Sequence, residues 1–228
     1  MSTLEHRYQA VKAHIFSACE QAHRSHDAVK LLAVSKTKPA HMVETLYHLG
    51  QRAFGENYLQ DAVEKITALS ALQDIEWHFI GPIQSNKTRT IAEHFQWVET
   101  LDRKKIAQRL NDQRPSGLPP LKVLIQVNIS REEQKSGIAP KEIESLANFI
   151  SDLPQLSLRG LMCIPQATTE ECILAQQFDE MQQLLQQLAN NHPQCTVLSM
   201  GMSSDLELAI KHGSSQVRIG TDIFGARA

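Results

Sequence analysis

Leu31-Leu-Ala-Val-Ser35 is a short, nearly continuous apolar run. It predicts a strand buried on both faces, the habit of a parallel sheet covered by helices. Upstream, Tyr8, Val11, Ile15 and Ala18 recur at helical spacing and mark one face of an opening helix. Downstream, Pro39 suits the first turn of a second helix, where its missing N–H costs nothing. Val43, Leu46, Tyr47 and Leu49 give that helix its apolar face, and Gly50 stands where a terminator belongs. The unit then recurs. Further strands are predicted at Arg52-Ala-Phe-Gly55, Glu76-Trp-His-Phe-Ile80, Trp97-Val-Glu-Thr100, Lys122-Val-Leu-Ile-Gln-Val-Asn128, Leu158-Arg-Gly-Leu-Met162, Thr196-Val-Leu-Ser199 and Val217-Arg-Ile-Gly220, eight in all. Helical stretches over 56–71, 86–94, 102–112, 140–152, 170–190 and 203–212 separate them. In the 170–190 segment, Phe178, Met181, Leu184, Leu185 and Leu188 form one stripe.

Eight strands alternating with helices predict an α/β fold with a parallel sheet, and eight is the count of a closed (β/α)8 TIM barrel. The expectation is one barrel domain over 1–228 with an extra N-terminal helix; an open doubly wound sheet is the alternative. The composition agrees: 228 residues, 42% hydrophobic and 21% charged, is that of a soluble globular chain. Lys+Arg of 23 against Asp+Glu of 25 gives −2, so bulk electrostatics offers nothing to nucleic acid. Arg103-Lys104-Lys105 reads as a solvated helix face. No apolar run approaches a membrane span, and the start Met1-Ser-Thr-Leu-Glu-His-Arg lacks the apolar core of a secretion signal. Cys19, Cys163, Cys172 and Cys195 are scattered with no C-x-x-C, which predicts reduced thiols and a cytoplasmic setting.

Barrels keep their chemistry at the carboxyl ends of the strands. Lys36 follows the first strand. A lysine there can condense with an aldehyde if desolvation or nearby positive charge lowers its proton affinity, although a lysine at a loop start is more often a surface residue. Ser199-Met-Gly-Met-Ser-Ser204 follows the seventh strand, and Ser204-Asp-Leu-Glu207 fits a capping box at the start of the next helix. Gly220-Thr221 forms a second small, donor-rich turn after the eighth strand. These two loops are where barrels often hold a phosphate. Arg218 alternates with Val217 and Ile219, so it faces the barrel interior if they face the helices. Buried there it needs an acceptor, either a protein group or a ligand. His78 on an apolar strand reads as a satisfied core histidine, and Asn57 in Gly55-Glu-Asn57 as a mouth residue or a helix cap. No metal-ligand spacing, hydrolase nucleophile elbow, dinucleotide fingerprint or P-loop occurs.

At these residues the sequence resembles the pyridoxal-phosphate homeostasis proteins of the YggS/PROSC type, relatives of the barrel domain of alanine racemase. The matching stretches are Ala33-Val-Ser-Lys-Thr-Lys-Pro39, Phe54-Gly-Glu-Asn-Tyr58, Trp77-His-Phe-Ile-Gly-Pro-Ile-Gln-Ser-Asn-Lys87, Gln126-Val-Asn-Ile129, Lys135-Ser-Gly137, Gly160-Leu-Met162, Leu198-Ser-Met-Gly-Met-Ser203 and Val217-Arg-Ile-Gly-Thr221 with Ile223-Phe-Gly225. The resemblance implies a barrel that binds pyridoxal 5′-phosphate as a Schiff base on Lys36. It implies that Arg218 approaches the pyridine nitrogen. It places the phosphate at Ser199, Ser203, Gly220 and Thr221, with Asn57, Met200 and Gly201 lining the site. Two positions depart from the family pattern: Asp222, where a small residue is common and which should face away from a phosphate, and Arg131, where glycine is frequent.

The implied role is a carrier or buffer of the cofactor that influences amino-acid metabolism, with little or no catalysis and no metal. Arginine is always charged and only donates, so it would hold the ring nitrogen unprotonated and weaken the electron sink. A weak racemase of the alanine racemase type is the alternative; it needs a second proton-transfer group. In alanine racemase that is a tyrosine of a further domain, whereas this chain stops at Ala228, directly after the last strand. Of its tyrosines only Tyr58 follows a strand end, about one helical turn in. The expected partners are the cofactor and the enzymes that make or use it, with no nucleic acid or membrane, and the expected state is a monomer.

Overall fold

A computed structural model describes residues 3–226. The helices and strands are α1 (Leu4–Gln21), β1 (Lys30–Val34), α2 (Ala40–His48), β2 (Ala53–Glu56), α3 (Leu59–Ala68), β3 (Glu76–Phe79), α4 (Thr88–His94), β4 (Trp97–Leu101), α5 (Lys104–Gln113), β5 (Leu121–Val127), α6 (Ile143–Ser151), β6 (Leu156–Cys163), α7 (Glu171–Asn191), β7 (Val197–Ser199), α8 (Leu206–Lys211), β8 (Gln216–Ile219) and α9 (Thr221–Phe224). All strand pairs are parallel, and the sheet closes in sequence order from β1 to β8. All eight predicted strands are present and the barrel, not the open sheet, is the architecture. Met1, Ser2, Arg227 and Ala228 lie outside the described residues, so the opening and closing residues of the predicted 1–228 unit are not described.

Among the described residues the eighth strand is followed by the four-residue α9, too short to cover the sheet. Instead α1 packs against α8, α9 and α2, and fills the place of a helix following β8. Its buried face is Tyr8, Val11, Ile15 and Ala18, the stripe visible in the sequence, joined by Cys19. Each large apolar member contributes about 1.5–3 kcal/mol by leaving water. Tyr8 donates to Gln51 Oε1 at 3.2 Å, and Gln51 in turn donates to the Leu31 and Ala53 carbonyls. Arg7 donates from Nε to the Ile223 carbonyl at 2.7 Å, tying α1 to α9.

Strand alternation sorts the side chains. Ala33, Phe54, Trp77, Val98, Val123, Val217 and Ile219 join the large core between sheet and helices. Trp97, Leu124 and Met162 form a separate cluster inside the barrel. Beneath it Glu76 meets Lys30 and Lys122, the latter at 3.1 Å, and accepts from Trp97. Burial works against ionisation of Glu76, yet the two lysines and the indole hold its carboxyl down at about 2.

Glycine is required where backbones meet. A Cβ at Gly160 would lie 1.9 Å from the Val197 carbonyl oxygen, and its φ is +148°. Arg131 has φ +56°, in the left-handed region that glycine enters at no steric cost. Gly160→Ala should cost about 4 kcal/mol or more, or prevent folding, while Gly117→Ala, with no atom within 4 Å of its Cβ, should stay within about 0.5 kcal/mol by urea unfolding. The Glu76 carboxyl adds a pH signature. A lowered folded pKa contributes stability above the ordinary carboxylate range, which is lost as pH falls from about 4.5 through about 2. Glu76→Gln should abolish that share of the acid dependence, about 1–2 kcal/mol after screening at a side chain that is 30% exposed.

Candidate functional site at the carboxyl rim

Closure of the sheet makes β7, β8, β1 and β2 neighbours, so their carboxyl ends form one continuous arc. Lys36 follows β1, Asn57 follows β2, Ser199 ends β7 and leads to Met200, Gly201 and Ser203, and Gly220 and Thr221 follow β8. The fold therefore brings these eight sequence-derived positions to one rim, with the ninth, Arg218, just below them in β8. In β1, Ala33 joins the outer core, so by alternation Leu32 and Val34 face the barrel interior. Lys36 continues that alternation one step beyond Val34 and is partly buried. Asn57 has a buried Oδ1 with no hydrogen-bond partner among the described residues.

Arg218 is buried inside, as its alternation with Val217 and Ile219 requires. One of its terminal nitrogens donates to the Ser199 carbonyl at 2.8 Å and the Ser199 hydroxyl at 2.9 Å; the other donates to the Cys163 carbonyl at 2.8 Å. Its strands thus supply its acceptors. The Ser199 hydroxyl donates to Glu99 Oε2 at 2.7 Å. Gln216 donates to Glu99 Oε1 at 2.7 Å, and His78 Nδ1 lies 2.6 Å from the same oxygen. Glu99 and His78 are fully buried, and the imidazole stacks on Trp97 with centroids 5.0 Å apart.

Burial would raise the Glu99 carboxyl, but the bond from His78, the charge of Arg218 and the Ser199 hydroxyl hold it below its ordinary range. Burial lowers His78 despite Glu99. The consistent state is an ionised Glu99 accepting from a neutral His78. That leaves His78 Nε2 as a buried acceptor with no partner among the described residues. His78 is thus only half satisfied, where the sequence suggests a satisfied core histidine. Glu99 was not singled out in the sequence at all. Its two-residue offset from Trp97 on a strand was the available signal, since it puts both side chains on one face.

The loop after β7 differs from the expected capping box. The six-residue α8 begins at Leu206, and the cap position belongs to Asp205, not Ser204. Asp205 turns back to accept from the Met202 N–H at 2.6 Å, which shapes the 202–205 turn; burial raises its carboxyl. Gly201, at φ +97°, passes so close to Ala209 that a side chain would collide. Met200 is fully buried, and its N–H bonds the Gln216 carbonyl, so its contribution to the rim is shape. Ser203 lines a cavity of about 760 Å³ between the 164–169 and 202–208 segments, with Lys135 on its wall. A cavity of about 540 Å³ lies beside Asn57. Another, of about 660 Å³, lies beside Lys30 and Arg52 and touches none of the nine positions.

Tyr58 stands at the cap of α3 rather than a turn into it, and is 47% exposed. Asp222 is exposed on α9. Among the described residues no cluster could hold a metal ion, and no helix is long and apolar enough to cross a membrane.

The Glu99–Arg218 balance is testable. Glu99→Ala should cost about 3–5 kcal/mol in urea unfolding because it leaves the guanidinium without its counter-charge, whereas the paired change Glu99→Met with Arg218→Met should recover most of that loss.

Comparison with known proteins places this architecture. The family model for the N-terminal domain of alanine racemase matches residues 3–228. The pyridoxal phosphate homeostasis protein of Haemophilus influenzae is 53% identical, over 98% of this chain and 96% of that protein. Its namesake in Pasteurella multocida is 54% identical, over 99% and 98%. The structure of PipY from Synechococcus elongatus with PLP bound aligns at a TM-score of 0.80 with 33% identity, covering 92% of this chain and all of that one.

Proposed function

This chain belongs to the pyridoxal phosphate homeostasis protein family, and from that premise we propose that it holds pyridoxal 5′-phosphate at the carboxyl rim, with Lys36 as the anchor. Its task is to keep and deliver the cofactor, a role in homeostasis rather than a reaction. The observation that carries this reading is the arc itself. A lysine, a buried arginine and two small donor-rich turns stand at the ends of adjacent strands.

The donor set suits the ligand. Bound there, the cofactor would supply an aldehyde, and Lys36 would supply the amine that holds it. The turns at Ser203 and at Gly220-Thr221 offer hydroxyl and backbone donors to a phosphate. The unpartnered Asn57 oxygen accepts a donor from the ligand. Arg218 would bring a permanent charge toward the ring nitrogen. Ser199 contributes by fixing Arg218, since its hydroxyl is already engaged with Glu99, Gln216 and the guanidinium. Met200 and Gly201 set the course of the loop.

Arg218 also argues for storage over chemistry. A group that only donates keeps the ring nitrogen unprotonated, so the cofactor draws electrons weakly. Among the described tyrosines, Tyr8 is buried against Gln51, Tyr47 is bonded to Asp74, and only Tyr58 stands at the rim. The chain acts as a monomer of one domain in the cytoplasm, exchanging its cofactor with the enzymes that make and use it.

Borohydride reduction of the loaded protein, followed by peptide mapping, should find the cofactor on Lys36. Label on another lysine, Lys38 included, overturns the anchor. Hydrogen–deuterium exchange at the α-carbon of alanine should not exceed that of free pyridoxal phosphate; faster exchange would make the protein a racemase.

A further inference from the structure

We propose that Asp61, Lys65 and Glu56 form a clamp, outside the barrel wall, that holds Lys36 at the corner of a strained turn. They are positioning residues for the anchor, and the inference rests on the reading that Lys36 carries the cofactor.

Lys36 and Thr37 are the central residues of a four-residue turn, closed by the hydrogen bond from the Lys38 N–H to the Ser35 carbonyl at 3.0 Å. Thr37 has φ +63°. With Lys36 at negative φ, this is the type II pattern, whose second central position normally falls to glycine or asparagine. A β-branched residue there carries a steric penalty and persists only where its surroundings hold it.

The surroundings come from α3 and β2. The Thr37 N–H donates to Asp61 Oδ2 at 3.2 Å. Asp61 pairs with Lys65 at 3.0 Å, one helical turn on. Lys65 is buried; it donates to the Ser35 carbonyl at 2.8 Å and to Glu56 Oε1 at 2.6 Å. The Ser35 hydroxyl donates to that same Glu56 oxygen at 2.6 Å, and the Ser35 N–H to the Gly55 carbonyl at 3.0 Å. Every polar group of Ser35, and the amide of Thr37, is therefore committed. Lys36 thus lies between two residues whose backbones are held by hydrogen bonds.

Net stabilisation is a poor explanation for burying Lys65 and Glu56, because desolvation offsets most of what a buried pair gains. The direction of the bonds is a better one. From outside the wall, Lys65 reaches the carbonyl immediately before Lys36, and Asp61 the amide immediately after it. The clamp thus fixes where the lysine leaves the backbone, and a preorganised amine binds without an ordering cost.

Asp61 is partly exposed, so Asp61→Ala should fold with a thermal midpoint close to wild type. Its Thr37 amide should exchange faster, and pyridoxal phosphate should bind about tenfold more weakly in a spectrophotometric titration. Adding Thr37→Gly should restore affinity to within about twofold of wild type, since glycine adopts positive φ at no steric cost. A wild-type dissociation constant in Asp61→Ala, or no recovery in the double variant, overturns the clamp. If Asp61→Ala does not fold, Asp61→Asn answers the question, with a loss of about threefold that Thr37→Gly again reverses; an unchanged constant in it overturns the proposal equally. Failure of the anchor reading is separate, because it appears as label on another lysine in the wild-type protein.

Discussion

A guanidinium and a carboxylate share the interior of this barrel, and each offsets the cost of burying the other. Ser199 joins them, donating to Glu99 while accepting from Arg218. Gln216 and His78 complete the carboxylate's shell from β8 and β3. Four strands are thus committed to one polar network beneath the rim. Buried charge is costly unless it is paired and hydrogen-bonded, so the network constrains register as well as electrostatics. A one-residue slip of β8 would turn Arg218 toward the helices and bring Val217 or Ile219 inside.

Much of the barrel was legible because each strand is an apolar run or an alternation in a chain punctuated by helical stripes. The strand-end position of Lys36 and the inward face of Arg218 were legible by place and parity. Other parts were not. Glu99 lies in a short strand between a tryptophan and a valine on one side and a threonine on the other, and a lone carboxylate there reads as a surface residue. Its meaning comes from His78, Ser199 and Gln216, which closure alone brings together. Ser204 matched a capping box on spacing, but the chain placed Asp205 at the cap and used its carboxylate on the Met202 amide. The two sequence patterns differ by one residue, and only backbone geometry separates them. The members of the Lys36 clamp are ordinary residues on a strand end and a helix. Asp61 and Lys65 read as a solvent-facing i, i+4 pair until α3 is laid against β1 and β2.

A division of labour follows from the alternation of the strands. Residues facing inward at the rim supply the groups a ligand would meet. Residues facing outward at the same height, Ser35 and Glu56 among them, hold the backbone from behind. Polar groups therefore occur on both sides of the sheet at this end. The outer ones are enclosed by α3, which keeps water from competing for their bonds.

The placement of α1 bears on how the molecule is assembled. The first helix of the chain covers the seam where the last strand meets the first, and Arg7 is bonded to Ile223 there. These contacts join residues more than two hundred positions apart, among the longest loops the chain can close. On a ribosome α1 would emerge with its apolar stripe uncovered and remain so until α8 and β8 had been made. Such topology favours slow, late closure of the final wall, with an exposed amphipathic helix as the natural ward of chaperones in the interval.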